Sequence, residues 1–279
     1  MRILVTGANG QLGREVARQG GAHQLILAGH NMLDITSEKN VREIFAAAKP
    51  EAVIHCAAYT NVDGAETDQD GAFKANVIGS QNLAAACLET GARLVQVSTD
   101  YVFDGNTDTV YLEFDKTNPQ TVYGRTKCQG EEIVRQVLGR HYIVRTAWLY
   151  GEGSNFVRTM LKLAEKNETL RVVHDQIGTP TSTVDLTKAI YKLLASDAYG
   201  TYHGTCQGQC SWYDFACEIF QQAGKKIKVL PVTSEVFPRP AKRPNYSVLD
   251  NQMLRMTVGD PMREWRDALK EYLAMSCGL

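Results

Sequence analysis

The chain reads as an α/β protein, a doubly wound parallel sheet with a smaller C-terminal α/β lobe. Three observations lead there. Over residues 1–150, apolar β-branched runs alternate with segments of helical periodicity, the rhythm of successive βαβ units. Two of the runs, VIHCAA (53–58) and LVQVS (94–98), are apolar nearly throughout, as strands buried on both faces are. A glycine turn, GANGQLG (7–13), closes the first run and opens the first helix.

The predicted strands are 2–6, 24–28, 52–56, 93–97 and 142–145, with helices at 11–19, 37–49, 70–90 and 123–138 between and after them. Beyond residue 150 the rhythm loosens. Helices are expected at 155–166, 183–195 (with Ser182 as N-cap), 212–223 and 262–275, and a strand at 170–175. Residues 231–250 hold four of the eight prolines and read as a long functional loop. The domain division is therefore 1–150 for a nucleotide-binding unit, with later segments returning to it, and 151–279 for a substrate-binding lobe. At 279 residues this is the expected size for one domain and a smaller partner.

Composition narrows the function. Thirty Lys+Arg against 31 Asp+Glu leave a net charge of −1, so no nucleic-acid footprint is expected. No apolar run approaches the ~20 residues of a membrane span, and MRILVTGANG runs straight into a strand and turn rather than a signal core. Seven irregularly spaced cysteines suit reduced thiols and a cytoplasmic location. His203, Cys206 and Cys210 lack a fourth ligand at similar spacing, so no metal site is assigned. The acidic run Asp63, Glu66, Asp68 and Asp70 reads as a solvated loop and first helical turn.

Gly7, Gly10 and Gly13 form GxxGxxG between strand and helix. Glycine there permits a tight turn and close backbone approach, and the helix N-terminus supplies free N–H groups to a pyrophosphate. This is the Rossmann type of dinucleotide site. The second strand ends Ala28-Gly29-His30-Asn31 without a carboxylate to grip a ribose 2′-hydroxyl. With His30 and Arg14 nearby, NADPH is the expected cofactor and NADH stays open. Tyr123 and Lys127 stand four apart at a helix start, on one face. A lysine ammonium there is expected to lower the tyrosine pKa for proton transfer. Ser98 and Thr99 supply hydroxyls at the end of the fourth strand.

These motifs resemble the extended short-chain dehydrogenases that act on nucleotide sugars, and more narrowly the dTDP-4-dehydrorhamnose reductase family. The matching stretches include GANGQLG (7–13), LDIT (33–36), CAAYTNVDGAE (56–66), STDYVFDG (98–105), NPQTVYGRTK (118–127), VRTAWLYG (144–151), WYDFA (212–216) and PAKRPNYSVLD (240–250). They span nearly the whole chain. Related dehydratases carry a glutamate where this chain has Tyr101, so the resemblance implies simple reduction of a 4-keto sugar. It implies Thr99, Tyr123 and Lys127 as catalytic residues. It also implies a cofactor lined by Gly7, Gly10, Gln11, Leu12, Gly13, Gly29, Asp34, Ile35, Ala57, Ala58, Tyr59, Val97, Tyr123 and Lys127. Thr99, Asp100, Trp148 and Arg243 are implied to meet the sugar nucleotide, Arg243 through its diphosphate. The partner is then a small nucleotide sugar, and the chain a monomer or homodimer. A reductase of another nucleotide-keto-deoxysugar, or a non-catalytic NADP-binding regulatory subunit, are the alternatives.

Overall fold

The computed structural model describes residues 1–277; Cys277, one of the seven cysteines, lies outside the described side chains. The elements are β1 (Arg2–Thr6), α1 (Gln11–Arg18), β2 (Gln24–Ala28), α2 (Glu38–Ala48), β3 (Ala52–His55), α3 (Val62–Thr67), α4 (Gln69–Phe73), α5 (Gly79–Thr90), β4 (Arg93–Thr99), α6 (Val122–Val137) and β5 (His141–Thr146). The second half continues with β6 (Leu149–Tyr150), α7 (Phe156–Ala164), β7 (Thr169–Val173), β8 (Ile177–Gly178), β9 (Thr181–Ser182), α8 (Thr183–Leu194) and β10 (Gly200–His203). It ends with β11 (Cys210–Ser211), α9 (Trp212–Gln222), β12 (Lys228–Val232), α10 (Gln252–Thr257) and α11 (Trp265–Cys277).

Six strands form one parallel sheet in the order β10-β5-β4-β3-β1-β2. Alternate residues of each central strand feed opposite cores. Ile3, Val5, Ile54, Val95 and Val144 join a cluster with Leu186, Ile190 and Leu193 of α8. Leu4, Val53, Leu94 and Ile143 join another with Val41, Phe45, Leu83 and Cys87 from the helices of the other face. Burial on both faces explains the unbroken apolar runs. The connection from β1 goes to β2 on one side, and the next crosses to β3 on the other. That switch point opens a crevice at the carboxyl ends of the strands, where open α/β sheets bind ligands.

Two features differ from the sequence reading. The expected helix 70–90 is three joined segments, α4, a π-turn at Lys74–Ile78 and α5. The proline-rich segment begins inside β12, which pairs in parallel with β7 in a sheet of two strands. Pro231 is tolerated there because an edge strand does not need every N–H. Of the later segments, β10 joins the main sheet beside β5.

Candidate active site

A cavity of about 1280 Å3 runs along the carboxyl ends of the strands, from Gly29 and Asp34 to Trp148 and Arg243. Every residue that the resemblance assigns to catalysis, cofactor or substrate lines it except Tyr59. Tyr59 turns its ring toward Ala65, Ala72 and Val122. Its backbone N–H donates to Asn76 Oδ1 at 2.9 Å.

At one end lies the glycine cradle. Gly7 has φ +64°, and a Cβ there would stand 2.6 Å from Ala57 N. At Gly13 a Cβ would stand 2.4 Å from the Gly7 carbonyl oxygen. Only glycine allows β1, α1 and the end of β3 to meet this closely. No side chain caps the N-terminus of α1 at Gly10, so its first N–H groups are left for an outside acceptor. The cradle therefore fits a dinucleotide pyrophosphate. Asp34 accepts from the N–H and hydroxyl of Thr36, which hold its carboxyl below the usual range. Arg14 is drawn to Glu152 at 2.8 Å, leaving His30 beside the Gly29 end of the cavity.

At the other end β4 and α6 converge. Thr121 caps α6 by accepting from Gly124 N, and Glu66 Oε1 accepts from Val122 N at 2.9 Å. The helix start that carries Tyr123 is thus fixed by two oxygens. Within the acidic run, Asp68 caps α4 and Asp70 stands exposed in its first turn, as a solvated helix start would, whereas Glu66 is an anchor and Asp63 pairs with Arg243 at 2.8 Å. Lys127 is buried and donates to the Val97 carbonyl at 2.6 Å. Burial pulls its ammonium down to about 8. Tyr123 is pushed up to about 12 by burial, against a hydrogen bond with Thr99 that pulls the other way. The groups acting on the phenol are thus its burial, Thr99 and Asp100, where the spacing pointed to Lys127. Thr99 donates to Asp100 Oδ1 at 2.9 Å, and burial raises the Asp100 carboxyl to about 6.

Two residues at or behind the site were given no role from the sequence, although Trp212 opens the matching stretch WYDFA (212–216). Asn76 sits in the π-turn, buried, bonded to Tyr59 and donating to Thr126 Oγ1 of α6 at 3.0 Å. A π-turn breaks no hydrophobic pattern, so only the folded backbone reveals it. Trp212 stacks on Trp148 with ring centroids 3.5 Å apart and planes 9° off parallel. Trp148 itself has φ +46°, an unusual left-handed conformation for a bulky residue. Arg243 meets the cavity while its guanidinium holds Asp63, which also accepts from Ala241 N at 3.3 Å. Glu15 pairs with Arg18, and among the described residues no cluster of His, Cys, Asp or Glu could hold a metal. Among those residues no helix is long and apolar enough to cross a membrane.

The model of one family, the RmlD substrate binding domain, matches residues 1–277. The chain belongs to that family. A dTDP-4-dehydrorhamnose reductase from Streptomyces griseus is 45% identical over 289 residues, covering 99% of this chain and 94% of the relative. The crystal structure of a dTDP-4-dehydrorhamnose reductase from Clostridium acetobutylicum superposes with a TM-score of 0.97 at 54% identity, covering 99% of each chain. One from Bacillus anthracis, solved in complex with NADP, gives a TM-score of 0.96 at 41% identity over 99% of each chain. The RmlD family thus accounts for the whole described chain, glycine cradle and Tyr-Lys face together.

Proposed function

We propose that this protein is an NADPH-dependent reductase of dTDP-4-dehydro-β-L-rhamnose, yielding dTDP-β-L-rhamnose for nucleotide-sugar biosynthesis. The observation that carries the reading is the convergence of the glycine cradle and the Thr99–Tyr123–Lys127 cluster on one cavity. Family membership, the likeness to named reductases and the NADP bound to the Bacillus anthracis relative support it.

The N-terminus of α1, with Gly10, Gln11 and Leu12, holds the pyrophosphate. Gly29, Asp34 and Ile35 meet the adenosine end, and Ala57, Ala58 and Val97 line the path to the nicotinamide. A bound NADPH supplies the hydride. Burial keeps the Tyr123 phenol protonated at neutral pH, the state needed to hand a proton to the sugar O4 as negative charge builds there. Thr99 places a hydroxyl beside the same oxygen. Lys127, tied to Val97, brings positive charge under the ribose and phenol. Trp148 backs the deoxysugar, Asp100 orients Thr99 and meets the sugar, and Arg243 faces the diphosphate. The reading includes a cytosolic location, supported by the free thiols among the described cysteines.

The test follows NADPH oxidation with dTDP-4-dehydro-β-L-rhamnose beside UDP- and GDP-keto sugars, and with NADH as the alternative cofactor. The dTDP sugar with NADPH is expected to give the highest kcat/KM. Tyr123→Phe is expected to cut kcat by about 10²–10⁴-fold while NADPH still binds. No turnover of the dTDP sugar by the unaltered protein overturns the proposal.

A further inference from the structure

The face of α6 that carries Tyr123 and Lys127 continues to Glu131, four residues further on. Glu131 is fully buried. Its carboxylate accepts from Arg145 Nη2 at 2.8 Å and Nε at 3.0 Å, from Arg135 Nη1 at 3.2 Å, and from Ser98 Oγ at 2.5 Å. Arg145, on β5, is buried too and also donates to the Glu113 carbonyl at 3.3 Å. Three consecutive residues at the end of β4 are therefore each held by one residue of this helical face. Val97 accepts from Lys127, Ser98 donates to Glu131, and Thr99 bonds with Tyr123.

Two charged arginines and a hydroxyl converge on one carboxylate beneath the site, more than packing alone requires. Replacing a buried ion pair by apolar groups often costs nothing in stability, so a purely structural role is a weak account of this cluster. We propose that Glu131 is a positioning residue of the reductase: it fixes the end of β4 against α6 through Ser98, and it holds a carboxylate, anchored by Arg145 and Arg135, one helical turn from Lys127. The inference deepens the proposed function and, for its kinetic part, rests on it.

The charge part follows from what faces these groups. Lys127 feels Glu131 as an attractive charge, and His55 and Cys56 at the end of β3 face it as neutral groups at ordinary pH. Glu131 faces Arg145 from β5, with Arg135 and Cys128 from its own helix. His203 of β10 faces Arg145 and is driven down to about 3 by burial and by that charge. With Glu131 neutralised, Lys127 loses that attraction, and its burial is left unopposed by a neighbouring carboxylate.

The experiment compares the unaltered chain with Glu131→Gln, which keeps the shape and loses the charge, and with Ser98→Ala. The Lys127 titration is read by NMR on protein carrying 13Cε-lysine, without substrate, so this readout does not depend on the activity. Glu131→Gln is expected to move the Lys127 midpoint down by about one unit, and Ser98→Ala to leave it in place. In turnover, Glu131→Gln is expected to lower kcat at least tenfold with both KM values within about threefold, and to shift the alkaline limb of the kcat profile to lower pH. Ser98→Ala is expected to lower kcat without moving that limb. If Glu131→Gln does not fold, the double variant Glu131→Met with Arg145→Met takes its place, and the Lys127 midpoint is again expected to fall. An unmoved midpoint in the folded variant overturns the proposal. A moved midpoint in a chain that turns over no keto sugar sustains the electrostatic role and faults only the reductase reading.

Discussion

Replacing Lys127 by methionine is expected to abolish turnover and leave the fold at least as stable at neutral pH. Burial takes the Lys127 ammonium from 10.5 to about 8. Carrying that charge in the folded protein therefore costs about 3 kcal/mol relative to a lysine in the unfolded chain. Methionine fills a similar space without charge, at the loss of the hydrogen bond to the Val97 carbonyl, which is worth about 1.5 kcal/mol. The net expectation is a gain of about 1–2 kcal/mol at neutral pH. The pH dependence has a definite sign. Below about pH 8 the lysine is protonated in both states and the cost is fully present. Between about 8 and 10.5 the folded protein has released a proton that the unfolded chain still holds, so the lysine protein gains stability as pH rises. Above that window the cost is gone. Guanidinium unfolding of both proteins across this range is the assay, and the difference is expected to swing by about 3 kcal/mol in favour of lysine. A methionine variant that is less stable at neutral pH, by an amount that stays constant to pH 10.5, would refute the reasoning.

Three further outcomes are expected. Gly13→Ala forces a Cβ to 2.4 Å from the Gly7 carbonyl oxygen and 2.6 Å from Ala8 Cα, so NADPH affinity should fall at least about tenfold in a fluorescence titration and Tm should drop by several degrees. Glu66→Ala strips the carboxylate from Val122 N and should cost about 1 kcal/mol, as loss of a helix cap does, with kcat falling more than either KM because Tyr123 is the next residue. Trp148→Ala removes the stack on Trp212; the KM of the keto sugar should rise by about tenfold while NADPH binding, measured separately, stays within twofold or so.

The parts of the molecule legible in the sequence are those written in local patterns. Strands β1, β3 and β4 announce themselves because burial on both faces demands unbroken apolar runs. The glycine turn and the Tyr123–Lys127 spacing are readable because one backbone conformation and one helical face fix their meaning. Long-range choices were not readable. Gly200–His203 is short and half polar, and becomes a strand only because β5 offers a parallel edge. Asp63 looked solvated because its partner Arg243 is 180 residues away. Spacing also put Lys127 and Tyr123 on one cavity but missed that burial, with Thr99 and Asp100, is what acts on the phenol, since burial is a property of the folded whole.

The late arrival of β10 has a consequence for synthesis. Until residues 200–203 have left the ribosome, β5 is an open parallel edge, and Tyr142 and Val144 lack the cover that Leu186, Ile190 and Tyr202 give them. A nascent chain cut short at residue 150 would expose that row of unpaired backbone groups, a template for clumping with its neighbours. The first half is thus expected to need the second to close its sheet edge.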